Sequence, residues 1–313
     1  GTDTGGSVRI PSALTGLYGL RPTVGRYDQG GITPISSTRD TAGPMARTMT
    51  DLVLLDGVIT GSETRESPAD LDGVRLGVPR GYFYDNLDPD TKRLMDSALK
   101  QLKDNGATLV EADLAGIGEL NGKVGFPLAL YEVLRTMPTY LEDSGASVGL
   151  LDVVRGVASP DVVGALGAAI GEDMEVGTED DAIPEPVYRD AMDKFRPQLQ
   201  KLYSDYFTQH DVDAVVFPTT PLPARLIEGS VETVMLNGEA VPTFPTYIRN
   251  TDPGSNAGIP GLTVPVGVTP EGLPVGLEMD GPAGSDRRLL AIGLALEELF
   301  GRPPAPVVAP GSR

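Results

Sequence analysis

The feature that most restricts the fold of this chain is a strand–helix–strand pattern between residues 74 and 111. The alternating apolar residues of Val74–Val78 predict a strand. A helix is predicted to begin at Asp88, a capping residue followed by proline, and to end at Gly106. Thr108–Glu111 then predicts a second strand. Two strands joined through a helix are typical of an α/β sheet.

The remaining elements place helices in the middle of the chain and strands towards its end. Residues 120–210 favour helix, with interruptions near Gly156–Pro160 and in the acidic stretch Gly171–Pro186. We therefore expect a single domain over residues 1–313, with a mainly helical insertion or cap at about 115–210. Further strands are predicted at 213–217, 262–268 and 273–279, the last two as a hairpin, and further helices at 48–59 and from 285 to 301.

Charge and residue content narrow the classes of partner. The sequence has 25 basic and 44 acidic residues, a net charge of −19, which disfavours nucleic acid and anionic membranes and favours a small neutral substrate. It has no cysteine, which excludes disulfides, thiolate nucleophiles and cysteine zinc sites. No stretch approaches the ~20 apolar residues of a membrane-spanning helix. These features fit a cytoplasmic protein.

The single histidine, His210, is the residue that a Ser–His–Asp triad would need as its base. It follows an amphipathic stretch and precedes the apolar run Ala214–Phe217, a position typical of a surface histidine at a helix end. We expect His210 to lie outside any catalytic site. One histidine also excludes a histidine metal cluster.

The segment Gly1–Pro11 is the part of the sequence that is most informative about a possible reaction. Its sequence is Gly-Thr-Asp-Thr-Gly-Gly-Ser-Val-Arg-Ile-Pro. Adjacent glycines allow successive backbone N–H groups to point into one concavity, next to the hydroxyl of Ser7. Such donors stabilise the oxyanion of acyl transfer. On these residues alone, a glycine turn with a helix-capping serine is the simpler interpretation.

The length of a family match decides against that simpler interpretation. Together with residues 16–23, 43–47, 213–220, 256–261 and 272–277, this segment closely resembles the amidase-signature family. The resemblance implies an α/β fold with a mixed β-sheet core flanked by helices. The stretches 38–44, 254–261 and 284–290 look most like the indoleacetamide and mandelamide hydrolases of that family.

The resemblance also implies roles for residues of the first segment. Ser7 would be the acylated nucleophile, Thr4, Gly5 and Gly6 would join its own amide in the oxyanion hole, and Asp3 and Arg9 would order the loop. The implied reaction is hydrolysis of an aryl- or indolyl-acetamide-type primary amide to the acid and ammonia. It implies no metal and no organic cofactor.

Family members activate this serine through a cis-serine and a lysine that precede the matching motif. We therefore expect the N-terminal part of the fold to be missing here and to come from an upstream segment, as a separate or missing polypeptide. The six lysines of the sequence match no catalytic position and are expected on the surface: Lys92, Lys100, Lys103, Lys123, Lys194 and Lys201. A homodimer is also compatible with the sequence.

Substrate-binding residues are predicted at Tyr131, Thr219, Asn256 and Ile259, although each also suits core packing. Two other functions stay open. A glutamyl-tRNA(Gln) amidotransferase A-type subunit shares the signature, but would work with other subunits and channel ammonia. A truncated, non-catalytic paralogue would keep the fold for binding or assembly. Glutamine-dependent ammonia release would favour the first, and absence of the lysine and cis-serine from the whole protein would favour the second.

Overall fold

The computed structural model describes residues 1–63, 66–170 and 183–302. The strands of these residues are β1 Thr2–Asp3, β2 Tyr18–Arg21, β3 Thr41–Ala42, β4 Met45–Ala46, β5 Arg75–Val78, β6 Thr108–Glu111, β7 Ala214–Pro218, β8 Thr233–Leu236, β9 Glu239–Pro242, β10 Gly261–Val268 and β11 Pro274–Asp280. The helices are α1 Arg9–Thr15, α2 Met49–Thr60, α3 Arg80–Phe83, α4 Pro89–Asp104, α5 Ile117–Asp143, α6 Leu150–Gly156, α7 Pro160–Ile170, α8 Glu185–Asp190, α9 Arg196–His210, α10 Thr243–Ile248, α11 Asp252–Ala257 and α12 Asp286–Phe300.

In the described residues, a seven-stranded mixed sheet forms the centre of the fold, in the order β4-β2-β10-β11-β7-β5-β6. β5 is parallel to β6 and β7, and the other neighbours are antiparallel. Val216 faces a core shared with α2, α4 and α12, whereas Val215 and Phe217 face a core shared with α3 and α9. Because side chains alternate along β7, helices cover both faces of the sheet. The predicted α/β fold with a mixed sheet flanked by helices is confirmed.

Local sequence signals account for several elements. The side chain of Asp88 accepts hydrogen bonds from the N–H groups of Asp90 and Thr91, and α4 ends beside Gly106 in the left-handed region. The predicted β5-α4-β6 unit is confirmed as a parallel pair. The predicted hairpin is confirmed as β10 and β11, and α2 and α12 occupy the expected ranges.

Helices α5 to α9 form most of the region that the sequence marked as helical. α6 ends at Gly156 and α7 begins at Pro160, as expected from the interruption there. The first half of α5 packs against α11, where Gly125 of α5 approaches Asp252. The same Asp252 approaches Gly5, so α5 lies near the start of the chain. The acidic stretch predicted to break the helices falls largely at 171–182, outside the described residues. Among the helices described, none is both long and apolar enough to cross a membrane.

Candidate active site

Ser7 lies in a tight loop between β1 and α1. β1 pairs antiparallel with β3, which fixes the start of the loop, and α1 begins two residues after Ser7. Gly5 and Gly6 are buried, whereas Ser7 is exposed. The hydroxyl of Ser7 makes no hydrogen bond to another residue in the described part of the chain. The loop therefore presents a free hydroxyl on a buried backbone.

Close packing explains why this loop contains two adjacent glycines. A Cβ on Gly5 would lie 2.6 Å from Cδ1 of Ile248 and 3.0 Å from a carboxylate oxygen of Asp252. Gly6 has a φ of +152° that L side chains rarely adopt, and a Cβ there would collide with the hydroxyl of Thr251. That hydroxyl donates a hydrogen bond of 2.7 Å to the carbonyl of Gly5. Both positions therefore exclude any larger residue.

The backbone N–H groups of residues 4–7 are the predicted oxyanion donors. Within the described ranges, none of them donates to another group of the chain, whereas the next N–H, that of Val8, donates to the carboxylate of Asp3 at 3.2 Å. Thr4 is fixed through its side chain, whose hydroxyl donates to Asp40 at 2.5 Å. The structure thus leaves a run of backbone donors beside Ser7 available for an acceptor from outside the chain.

Asp3 and Arg9 form a fully buried ion pair beneath this loop, with side chains that are 0% exposed. Arg9 Nε donates to Asp3 at 3.1 Å, and Arg21 Nη1 donates to the same carboxylate at 3.1 Å. Burial alone would raise the pKa of Asp3, but the charges of Arg9 and Arg21 outweigh it and hold the pKa well below its usual range. The resemblance implies that Asp3 and Arg9 order the loop, and the structure shows that Arg21 also binds the carboxylate of Asp3.

Arg9 also joins the loop to the far end of the chain. Its Nη1 donates to Glu278 on β11 at 2.9 Å. Its Nη2 donates to the carbonyl of Thr251 at 3.0 Å and to the hydroxyl of Ser255 on α11 at 2.6 Å. One side chain therefore connects the Ser7 loop, the central sheet and α11.

A third buried carboxyl, that of Asp280, lies 3.7 Å from Arg9. Three buried acids, Asp3, Glu278 and Asp280, thus share two buried cations, Arg9 and Arg21. Burial, reinforced by the neighbouring Glu278, raises the pKa of Asp280 well above its usual value. Protonation of Asp280 would bring the charges of this cluster into balance.

A second polar network lies on the other side of the loop. Asp252, whose carboxylate approaches Gly5, accepts hydrogen bonds from Arg39 at 3.1 Å and from Asn121 on α5 at 3.0 Å. Asn256 donates to Asp252 at 2.9 Å and to Asn121 at 2.7 Å. The predicted residue Asn256 is therefore brought near the Ser7 loop, but as a buried member of this network.

The other predicted substrate residues have contacts elsewhere. Tyr131 stacks on Tyr188 with ring centroids 4.0 Å apart. Thr219 is fully buried with its hydroxyl 3.3 Å from that of Thr263, and Ile259 belongs to the same core cluster as Phe217. None of these interactions involves residues 4–7, so the binding role of the three residues remains a prediction.

The sequence alone does not identify five residues that surround the loop: Arg21, Asp40, Ile248, Thr251 and Asp252. Arg21, Arg39 and Asp40 stand inside stretches that resemble the amidase-signature family, but no local pattern distinguishes them there. Thr251 and Asp252 come just before the stretch 254–261. Most of these residues therefore lie in or next to stretches that resemble the family, but no local sequence pattern links them to Ser7.

All six lysines lie in the described part of the chain, and each is exposed, as the sequence predicts. Four of them form ion pairs one helical turn away, including Lys92 with Asp96 and Lys201 with Asp205, both at 2.6 Å. His210 ends α9 as predicted, with its ring centroid 4.6 Å from that of Tyr206. Among the described residues, no group of three or more His, Asp or Glu side chains is arranged to hold a metal ion.

Comparisons with known proteins bear on the family of this chain. The sequence model of a family described as Amidase matches residues 1–290. An indoleacetamide hydrolase of Agrobacterium vitis is 47% identical over 95% of this chain and 62% of its own length. A mandelamide hydrolase of Pseudomonas putida is 40% identical over 98% of this chain and 59% of its own length.

A solved structure described as "Crystal structure of amidase" has a TM-score of 0.78 and 30% sequence identity, and the match covers 96% of this chain and 62% of that chain. This chain therefore spans about 62% of the length of the first curated relatives it matches.

Proposed function

The chain belongs to the amidase family, and on that basis we propose that it hydrolyses a small primary amide to a carboxylic acid and ammonia. The observation that carries the proposal is the loop of residues 4–7, which combines an exposed serine hydroxyl with backbone N–H groups that have no acceptor within the described chain. This is the donor arrangement that acyl transfer requires.

In the proposed reaction, Ser7 Oγ forms a bond to the amide carbon as its proton passes to a base. The carbonyl oxygen becomes an oxyanion, which the backbone N–H groups of residues 4–7 stabilise by about 3 kcal/mol per donor. The C–N bond then breaks, the nitrogen takes a proton and leaves as ammonia, and an ester remains on Ser7. Water attacks this ester, releases the carboxylic acid and restores the hydroxyl.

We propose that the base is a lysine acting through a cis-serine, both from polypeptide outside residues 1–313. The support is geometric: the six lysines of this chain are exposed on helices, and His210 lies at the end of α9 against Tyr206. A buried lysine is a suitable base because desolvation lowers its pKa towards the working range.

For the substrate, we propose an amide of an arylacetic or indolylacetic acid. The support comes from the relatives described as indoleacetamide hydrolase and mandelamide hydrolase, at 47% and 40% identity. The negative net charge of −19 also favours a neutral amide over an anionic substrate.

The test uses the complete native polypeptide that contains this chain. A fluorophosphonate should label Ser7, and Ser7→Ala should abolish ammonia release from indole-3-acetamide, whereas Ser97→Ala, at an exposed serine on α4, should leave it unchanged. Labelling of a different serine, or full turnover by Ser7→Ala, would contradict the assignment. Faster release from glutamine than from the aryl amides would favour an amidotransferase subunit instead.

A further inference from the structure

We propose that Phe126, Phe244 and Ile248 form the surface that receives the aryl group of the substrate. The inference rests on the proposed amide hydrolysis and assigns its specificity to side chains of α5 and α10. We call these three residues the aryl platform. Its ligand class is a neutral amide whose acyl group ends in an aromatic ring.

Ile248 places one end of the aryl platform against the proposed oxyanion hole. Its Cδ1 lies 2.6 Å from where a Cβ of Gly5 would stand, so it contacts the backbone that carries the donors. Phe244 lies one helical turn earlier on α10 and therefore on the same face as Ile248. The apolar face of α10 thus leads away from the Ser7 loop.

Phe126 extends this face from α5. Its ring centroid is 6.3 Å from that of Phe244, with the two ring planes tilted by 54°. The neighbouring Gly125 fixes this part of α5, because a Cβ there would lie 2.7 Å from the same Asp252 carboxylate that approaches Gly5. α5, α10 and the Ser7 loop therefore meet around Asp252.

The exposure of the two rings is what suggests a ligand. Phe126 is 51% exposed and Phe244 is 47% exposed, although burying such rings is favourable and their edges and faces prefer aromatic neighbours. Two half-exposed phenylalanines, one of them a helical turn from the residue that packs on Gly5, therefore offer aromatic surface next to the backbone of the proposed site. Exposed apolar residues on α2, such as Val58, line a separate groove of about 750 Å³ with α12, and no residue of the Ser7 loop lines that groove.

The test uses the same complete polypeptide as the hydrolysis test, with Ser7→Ala so that bound amide is not turned over. Isothermal titration calorimetry measures the Kd of indole-3-acetamide for this parent protein. Phe126→Ala and Phe244→Ala, each added to the parent, should raise that Kd about three- to tenfold. Phe126→Tyr should bind like the parent, and so should Val58→Ala.

Acetamide, measured by competition, separates specificity from damage to the site, since it has no ring. Its Kd should be unchanged in both alanine variants. Failure of the Ser7→Ala parent to bind indole-3-acetamide, no effect of the double alanine change, or equal loss for acetamide would each overturn the aryl platform. Ring-dependent binding by the parent, together with no hydrolysis by the protein that keeps Ser7, would contradict the catalytic proposal and leave the platform standing.

Discussion

Replacing Arg9 with methionine tests whether the buried ion cluster holds the Ser7 loop. The variant loses hydrogen bonds to Asp3, Glu278, Thr251 and Ser255 at 2.6–3.2 Å while keeping much of the side-chain volume. Asp3 retains Arg21 at 3.1 Å, but Glu278 loses its cation inside the sheet. Removing one partner of a buried pair costs about 3–5 kcal/mol, so we expect the free energy of unfolding to fall by that amount.

The assay is urea unfolding, with the loss calculated from the shift in midpoint at constant slope. Arg80→Met is the matched control, because Arg80 is 45% exposed and pairs with Glu111 at 2.9 Å on the surface. That change should cost less than about 1 kcal/mol. Adding Glu278→Gln to Arg9→Met should recover part of the loss, since it removes the unpaired charge. If Arg9→Met costs no more than Arg80→Met, the reasoning about burial is wrong.

Two further predictions concern the loop and the acid cluster. Gly6→Ala should greatly slow fluorophosphonate labelling of Ser7, because its Cβ would collide with Thr251 at a φ of +152°. Gly73→Ala, with open space around it, should label at the wild-type rate, and equal rates for the two variants would contradict the packing argument. Because burial raises the folded-state pKa of Asp280, the native state holds a proton that the unfolded chain releases above about pH 4, so stability should fall as pH rises from there towards neutrality. Urea titrations of Asp280→Asn should show a weaker fall, and an identical pH profile for both proteins would rule out a protonated Asp280 beside Glu278.

Features encoded by neighbouring residues could be predicted from the sequence. Asp88 caps α4 through N–H groups two and three residues away, and the hairpin of β10 and β11 follows from a short turn. The parallel pairing of β5 and β6 likewise follows from the strand–helix–strand order. Each of these rests on separations of a few residues or on one connecting helix.

The surroundings of Ser7 required the three-dimensional structure. Arg9 was identified, but its partner Glu278 is 269 residues away, and no local pattern specifies that contact. Asp252 was missed because its importance depends on the approach of Gly5 and Asn121 from distant parts of the chain. Thr219 and Ile259 show the opposite problem, since their apolar sequence context fits core packing as well as a pocket.

The long separations around Arg9 also bear on the order in which the protein is made. Thr251 and Glu278 follow Arg9 by 242 and 269 residues, and a ribosome adding about 5–20 residues per second needs roughly 10 to 50 seconds to reach them. During that interval Arg9 is translated but its distant anchors do not yet exist. We therefore expect the Ser7 loop to assemble late in synthesis, after α11 and β11 have emerged, so a nascent chain halted before them should carry Ser7 without its run of backbone donors in place.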